Sequence, residues 1–217
     1  MVAEAAAAGA PEGLVVVADF QTAGRGRLDR SWEAAPGDAL LVSVLLRPDR
    51  LAVERWHLLS AAAALSARSA CADVAGVDAR IKWPNDLLAG ESGAKLAGIL
   101  AEATVGEVVV VGMGLNVHGG PPGAAVLDHL AGRRISRSEL LESWLEALER
   151  RLDDWDAVAS DYSKGCNTVG KRVNVDRGAT GVLRGLATRV DAAGRLIVRS
   201  DSSEEVAVSV GDVTHLT

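Results

Sequence analysis

Four runs of strand length constrain this chain more than any other feature: LVVVAD (14–19), ALLVSVLLRP (39–48), KLAGILAEAT (95–104) and EVVVVGMGLNV (107–117). Each is rich in Val, Leu, Ile or Ala and bounded by Gly, Pro, Asn or Asp, which predicts buried β-strands. The last two lie so close together that they predict a hairpin turning through Val105 and Gly106. ARIKWP (79–84) reads as a further strand closed by a Pro-Asn-Asp turn, Leu87 and Leu88 begin its return, and GESG (90–93) makes the next turn. Between these strands, the alanine-rich stretch from Leu51 to Val74, with Trp56, Leu59, Ala63 and Ala70, reads as a helix packed closely on a sheet. Ala3 to Ala8 closes a short helix, stopped by Gly9 and Pro11, that is marginal unless it packs on something.

Past the GGPPG loop (119–123), Ser136 and Glu139 form a capping box for a long helix that places Leu141, Trp144, Leu145, Leu148, Leu152 and Trp155 on one face. From Lys164 to Gly170 the pattern changes to short strands, RVNVD, TGVLRGLATRV, GRLIVRS and EEVAVSV, with glycine-bearing turns such as DAAG (191–194). This predicts a small closed β module of about fifty residues.

With 217 residues, 48% of them hydrophobic, the chain can bury one substantial core and a small appendage. Its net charge of -6 is spread over both signs without a run of five like charges, so composition argues against general nucleic-acid or membrane binding and any basic site is local. Cys71 and Cys166 have no partner at metal or redox spacing and fit incidental thiols in a reducing cytosol. AEAAAAGAPEG (3–13) lacks a basic start and a long apolar stretch, and no run approaches bilayer length; the expectation is a soluble cytoplasmic protein.

Against that background QTAGRGRLDRSW (21–32) stands out. Gly24 and Gly26 alternate with Arg25 and Arg27, leaving the backbone free to bend while guanidinium forks are presented, and such a segment carries a large ordering entropy unless an anionic ligand neutralises it. Taken alone, it fits a solvated loop or an RGG-like nucleic-acid contact equally well. Trp32 is either a lid residue tucked on the core or a stacking platform for a flat ring such as adenine.

The chain has 19 arginines and 4 lysines, so the lysines draw notice: an ammonium is a point charge that a guanidinium fork does not replace. Lys82 ends a strand just before Pro84, Asn85 and Asp86; Lys95 begins the following strand; Asn116 follows Gly112 and Gly114 at the end of another. Polar groups at strand ends converge on one rim of a sheet. Neither a Walker sequence nor GxGxxG is present, so a conventional P-loop or Rossmann site is not supported. Arginines, lysines and an aspartate around an α-phosphate and a metal ion suit adenylation instead.

These residues resemble the biotin protein ligases: QTAGRGR (21–27), KWPNDLL (82–88), KLAGIL (95–100) and GMGLNV (112–117) occur in that family's order and approximate spacing, and GDVTHL (211–216) resembles the end of its C-terminal module. The likeness spans nearly the whole chain. It implies an α+β fold, a central mostly antiparallel or mixed sheet with helices packed on one face in the class II synthetase-like manner of biotin and lipoate ligases, followed by a small C-terminal SH3-like β barrel. The implied domains are a catalytic unit, 1–167, and the barrel, 168–217.

The implied reaction uses ATP and Mg²⁺ to convert biotin to biotinyl-5′-AMP and passes the biotinyl group to a lysine of a biotin carboxyl carrier domain of acetyl-CoA or another acyl-CoA carboxylase. By the same resemblance, Gln21, Gly24, Arg25, Arg27, Lys95 and Gly98 bind biotin. Arg25, Arg27, Arg30, Trp32, Asn85, Lys95 and Asn116 bind ATP or the adenylate, with Trp32 stacked on adenine. Lys95, Arg25, Lys82 and Asp86 carry the chemistry, Asp86 holding Mg²⁺ or the attacking group. No nucleic acid and no membrane is expected as partner, and a homodimer is left open.

The family usually has a further strand and a Ser-Thr-Asn stretch before the first helix, whereas this chain starts inside that helix, so the expectation is either a truncated start or a compromised affinity for biotin. Each hydrogen bond to biotin lost with that stretch is worth roughly 1 kcal/mol. The loop reads GRGRLDR, where Asp29 lowers the positive charge, and no winged helix precedes it, so no repressor function is expected. The rival readings are a lipoate or octanoate ligase of the same architecture and an RNA- or small-ligand-binding module using the C-terminal barrel.

Overall fold

The structure is a computed structural model that describes residues 2–27, 30–104 and 106–216. Its first sheet is built from β1 (Val15–Ala18), β2 (Ala39–Leu46), β3 (Arg80–Lys82), β4 (Asp86–Ala89), β5 (Ala94–Thr104) and β6 (Val108–Asn116). They lie in the order β1-β2-β6-β5-β4-β3 with every neighbouring pair antiparallel. β5 and β6 form the expected hairpin, with Gly106 at φ 80° and Glu107 at φ 57°; Val105, also assigned to that turn, lies outside the described residues.

One face of this sheet carries Leu40, Val42, Val44 and Leu46 from β2 and Val109, Val111, Met113 and Leu115 from β6 into the main core, against helix α2 (His57–Ala75). Preceded by a single 3-10 turn (Val53–Arg55), α2 buries Ala61, Ala62, Ala63 and Ala64 to 1% exposure or less. Such small side chains let the helix sit between the sheet and a second helical layer. The stretch Val53–Ala75, 23 residues, is long and apolar enough to cross a membrane by length and composition, which corrects the expectation that no run reaches that length. It passes because a core helix is apolar all round. Gly76 ends it in the left-handed conformation, φ 67°, its N–H donating to Ala72 O.

The second layer begins with α3 (Leu127–Ala131) and α4 (Arg137–Leu152). Ser136 caps α4, its hydroxyl accepting from the Glu139 N–H at 3.2 Å, and Trp144 is fully buried with its indole N–H donating to Ala63 O at 3.1 Å. The expected single long helix is two helices. Asp154 accepts from the Ala157 N–H at 2.9 Å and caps α5 (Trp155–Gly165), so Trp155 opens a new helix instead of extending the α4 face. An aspartate that satisfies a free backbone N–H starts a helix more readily than it continues one. α1 (Val2–Ala7) packs Val2 and Ala6 against Leu45 and Val108 on the opposite face of the sheet.

The C-terminal module comprises β7 (Arg172–Asp176), β8 (Val182–Val190), β9 (Leu196–Ser200), β10 (Glu205–Val208) and β11 (Asp212–His215) in an antiparallel sheet ordered β10-β9-β8-β7-β11. Trp83, 2% exposed, ties it to the first sheet: its indole donates to Gly194 O at 3.0 Å and its backbone N–H to Thr168 Oγ1 at 3.1 Å. Thr168 Oγ1 lies 3.1 Å from His215 Nε2.

Burial, with Lys171 and Lys82 nearby, lowers the His215 pKa from 6.5 to about 4. The unfolded chain therefore takes up a proton between those values that the native chain refuses, and stability declines as pH falls through that window. Urea midpoints should drop between pH 7 and pH 5, and His215→Gln should flatten that dependence.

Candidate active site on the open face of the sheet

The face of the first sheet turned away from α2 forms the floor of a cavity of about 730 Å³. A single cross-strand row organises it, each member paired with the next: Ala18, Leu41, Gly114, Gly98, Asp86 and Lys82, from β1 to β3. Residues directly opposite each other in antiparallel strands share a face, so this row points as one toward the same side.

Lys95 reaches that side through an irregularity in β5. Leu87 pairs with Ala97 and Leu88 with Lys95, leaving Leu96 as the extra residue of a bulge. The bulge reverses the alternation, burying the consecutive Leu96 and Ala97 completely and putting Lys95 on the same face as Gly98. A Cβ at Gly98 would stand 3.3 Å from both Lys95 Cε and Nζ, so the ammonium lies directly over the glycine. It pairs with Asp86 Oδ1 at 2.7 Å. Lys95 Nζ is also 5.7 Å from the centre of the Trp32 ring.

The arginine-glycine segment covers this floor as a small hairpin. The Trp32 N–H donates to Gly24 O at 3.0 Å, Arg25 bridges Ser31, and the Gly26 N–H donates to Arg30 O at 2.6 Å. Its glycines permit the close approach: a Cβ on Gly24 would lie 2.2 Å from Trp32 O. Leu28 and Asp29, the latter read as lowering the loop's charge, lie outside the described residues. The Trp32 indole rests on the glycines of the row, where a Cβ on Gly114 would fall 2.3 Å from its Cε2, and its buried indole nitrogen has no hydrogen-bond partner among the described residues.

Every cation at the site has an acceptor. Arg25 pairs with Glu102 at 2.8 Å. Arg27 donates to Asn85 Oδ1 and, through both terminal nitrogens, to Gly211 O, each at 3.3 Å, and Arg30 meets Asp212 Oδ2 at 2.5 Å. Burial pulls the Arg27 pKa below its ordinary value, while Asp212 and Asp86 work against that shift. Asn85 donates to Ile99 O at 2.8 Å, which fixes the acceptor it offers to Arg27.

Of the residues assigned from sequence, Gln21, Arg25, Arg27, Arg30, Trp32, Asn85, Asp86, Lys95 and Gly98 all line the one cavity. Gly24 shapes the hairpin from behind Trp32. Lys82 is brought to the row but not to the cavity. It stands at the sheet edge beyond Asp86, where its charge acts on Asp212 and His215 of the C-terminal module. Asn116 is likewise kept off the lining: 1% exposed, it donates to Lys95 O at 3.4 Å and Ala125 O at 3.2 Å, holding the backbone from which Lys95 springs.

The structure adds Glu102, Gly112 and Asp212 to the lining and Gly114 beneath Trp32. A lone carboxylate within the apolar β5 was the available sign of Glu102. Asp212 had none, being 182 positions from the arginine it meets.

Residues 4–117 match the biotin/lipoate A/B protein ligase family and residues 168–216 the biotin protein ligase C-terminal domain. Over its whole length the chain is 37% identical to a biotin–[acetyl-CoA-carboxylase] ligase of Mycobacterium tuberculosis, of which it covers 84%. It is also 37% identical, over 67% of its length, to a bifunctional ligase/repressor BirA of Bacillus subtilis, of which the match spans 48%, about half. The biotin protein ligase from Aquifex aeolicus in complex with biotin and ATP superposes with a TM-score of 0.83 at 25% identity, over 95% of this chain and 90% of that one. The chain belongs to the biotin protein ligases, within the biotin/lipoate A/B protein ligase family.

Proposed function

We infer that this chain activates biotin with ATP to biotinyl-5′-AMP and transfers the biotinyl group to a lysine of a biotin carrier domain, that of an acyl-CoA carboxylase. The observation that carries the reading is Lys95 on its bulge, an ammonium set over a glycine floor between Asp86 and the face of Trp32. In the first step a carboxylate oxygen of biotin attacks the α-phosphorus and pyrophosphate leaves. Two anions meet there, so preplaced cations are required to stabilise the transition state. Lys95 and Arg25 serve, each held by a carboxylate until an anion displaces it.

Gly112 leaves room for the fused rings, Gly98 lets Lys95 and Trp32 lie close to the strand, Gln21 faces the ureido end, and the outer face of Trp32 takes adenine. Among the described residues no group of three or more His, Cys, Asp or Glu is gathered to hold a metal. When bound with the nucleotide, Mg²⁺ would supply further positive charge at the phosphates, and Asp86, on the cavity wall, would contribute a ligand to it. In the second step the carrier lysine's amine attacks the acyl carbon, the anhydride C–O bond breaks, AMP leaves and the amine gives up a proton. The hairpin shields the anhydride from water until the carrier arrives. In this reading residues 1–167 form the catalytic unit and 168–217 its module.

A lipoate or octanoate ligase would share the chemistry; the match of 168–216 to the biotin ligase C-terminal domain favours biotin. Incubated with radiolabelled ATP, Mg²⁺ and biotin, the chain should form biotinyl-5′-AMP and label a carrier domain, and equal turnover of lipoate or octanoate would overturn the assignment.

A further inference from the structure

We propose that Asp212 is a positioning residue of the site: from the C-terminal module it holds the Gly24–Trp32 hairpin over the cavity through Arg30. The proposal rests on the reading that an acyl-adenylate forms beneath that hairpin. Two arginines on the hairpin meet adjacent groups of one turn. Arg30 lies 2.5 Å from Asp212 Oδ2 and 3.5 Å from Oδ1, a two-pronged approach suited to a planar guanidinium. Arg27 grips the Gly211 carbonyl with both terminal nitrogens and, through Asn85 and Ile99, links it to β5.

The turn itself is fixed in place. A side chain at Gly211 would lie 2.6 Å from Val175 Cγ1 and 3.0 Å from Asp176 O, so only a glycine lets the turn close on β7 at this point. Burial raises the Asp212 pKa, but the hydrogen bond and charge of Arg30, with Lys82 and Arg27 adding theirs, outweigh burial and keep the carboxyl below its ordinary value. Lys82, off the cavity, thus acts on the carboxylate that anchors the hairpin. Trp32 follows Arg30 by two positions, so where Arg30 is held also decides whether the indole reaches Gly114.

The strength of the tie suits a cover that must open in every cycle. The Arg30 and Asp212 side chains are 64% and 36% exposed, and an ion pair of that kind changes an equilibrium by a few-fold only. It biases the hairpin toward closure without locking ATP or the carrier out. The C-terminal module thereby acts on the first half-reaction and on retention of the intermediate, though it supplies no group to the reacting atoms.

The test uses the full chain and two readouts. In the ligand-free protein, trypsin cleavage after Arg27 and Arg30 should be about fivefold faster in Asp212→Asn, with the thermal midpoint unchanged. In the loaded protein, release of labelled biotinyl-5′-AMP during a chase should quicken by a similar factor and the KM for ATP should rise, while transfer from preformed adenylate keeps its kcat. Asp212→Glu should behave as wild type, and the exchanged pair Arg30→Asp with Asp212→Arg should recover most of the slow release that Asp212→Asn loses.

Wild-type cleavage and release in Asp212→Asn, or effects of Arg30→Ala and Asp212→Asn that multiply in the double variant, would overturn the latch. If wild type formed no acyl-adenylate, the functional reading would fall, and the ligand-free cleavage rates would still decide whether Asp212 holds the hairpin.

Discussion

Lys95→Ala lowers the single-turnover rate of biotinyl-5′-AMP formation by about 10²- to 10³-fold, the cost of removing one preorganised charge from a developing anionic centre. The fold is expected to survive, because the Lys95 side chain is 45% exposed and its partner Asp86 keeps 20% exposure to water. Lys95→Arg recovers little of the rate. A planar fork does not reproduce the point charge that the ammonium places over Gly98 and beside Trp32. Rapid-quench measurement of the adenylate, with far-UV circular dichroism as the control on folding, decides this. A wild-type rate in Lys95→Ala would remove the lysine from the reacting centre.

Gly114→Val is expected to cost about 100-fold or more in adenylation while lowering stability by about 1–3 kcal/mol, the usual range for overpacking. A Cβ at Gly114 would stand 2.3, 2.6 and 2.8 Å from three atoms of the Trp32 indole, so the ring has to leave and take the end of the hairpin with it. The two effects separate in a double variant. Adding Trp32→Ala to Gly114→Val relieves the clash and restores stability, but activity stays low because the platform is gone. Chemical denaturation and adenylation assays on the four proteins form the cycle. If Gly114→Val alone kept full activity, the indole would have no role on the glycine floor.

The elements read most securely from sequence were those whose signal is local. Strand-length apolar runs bounded by turn residues became β1, β2, β5 and β6, and the Ser136 cap opened α4. The failures share one cause. Trp155 kept the helical spacing of the residues before it, yet Asp154 claimed a backbone N–H and began α5. The 53–75 segment met the length and hydropathy of a membrane span because a helix buried between two layers must be apolar on all sides, as a spanning helix is. In both cases the local pattern was real and its three-dimensional setting was missing from it.

The candidate site divides in the same way. The motifs that carry the family resemblance named Arg25, Arg27, Asn85, Asp86, Lys95 and Gly98, and the cavity holds them all. Lys82 and Asn116 had equally good positions at strand ends, but a strand end names only a height on the sheet. One lies a strand too far out, and the other turns its amide to the backbone behind Lys95.

What the amino-acid order determined by itself was the alternation of strands and helices, the glycines that let a hairpin and a sheet approach within contact, and the stock of cations that an adenylating site requires. What only the tertiary structure decided was which groups face one another. The bulge at Leu96 swings Lys95 over Gly98, the antiparallel register lines up Ala18 to Lys82 across six strands, and the C-terminal turn brings Asp212 to Arg30. Facing depends on register and on contacts between residues far apart in the chain, and the short-range spacing of residue types carries no record of either.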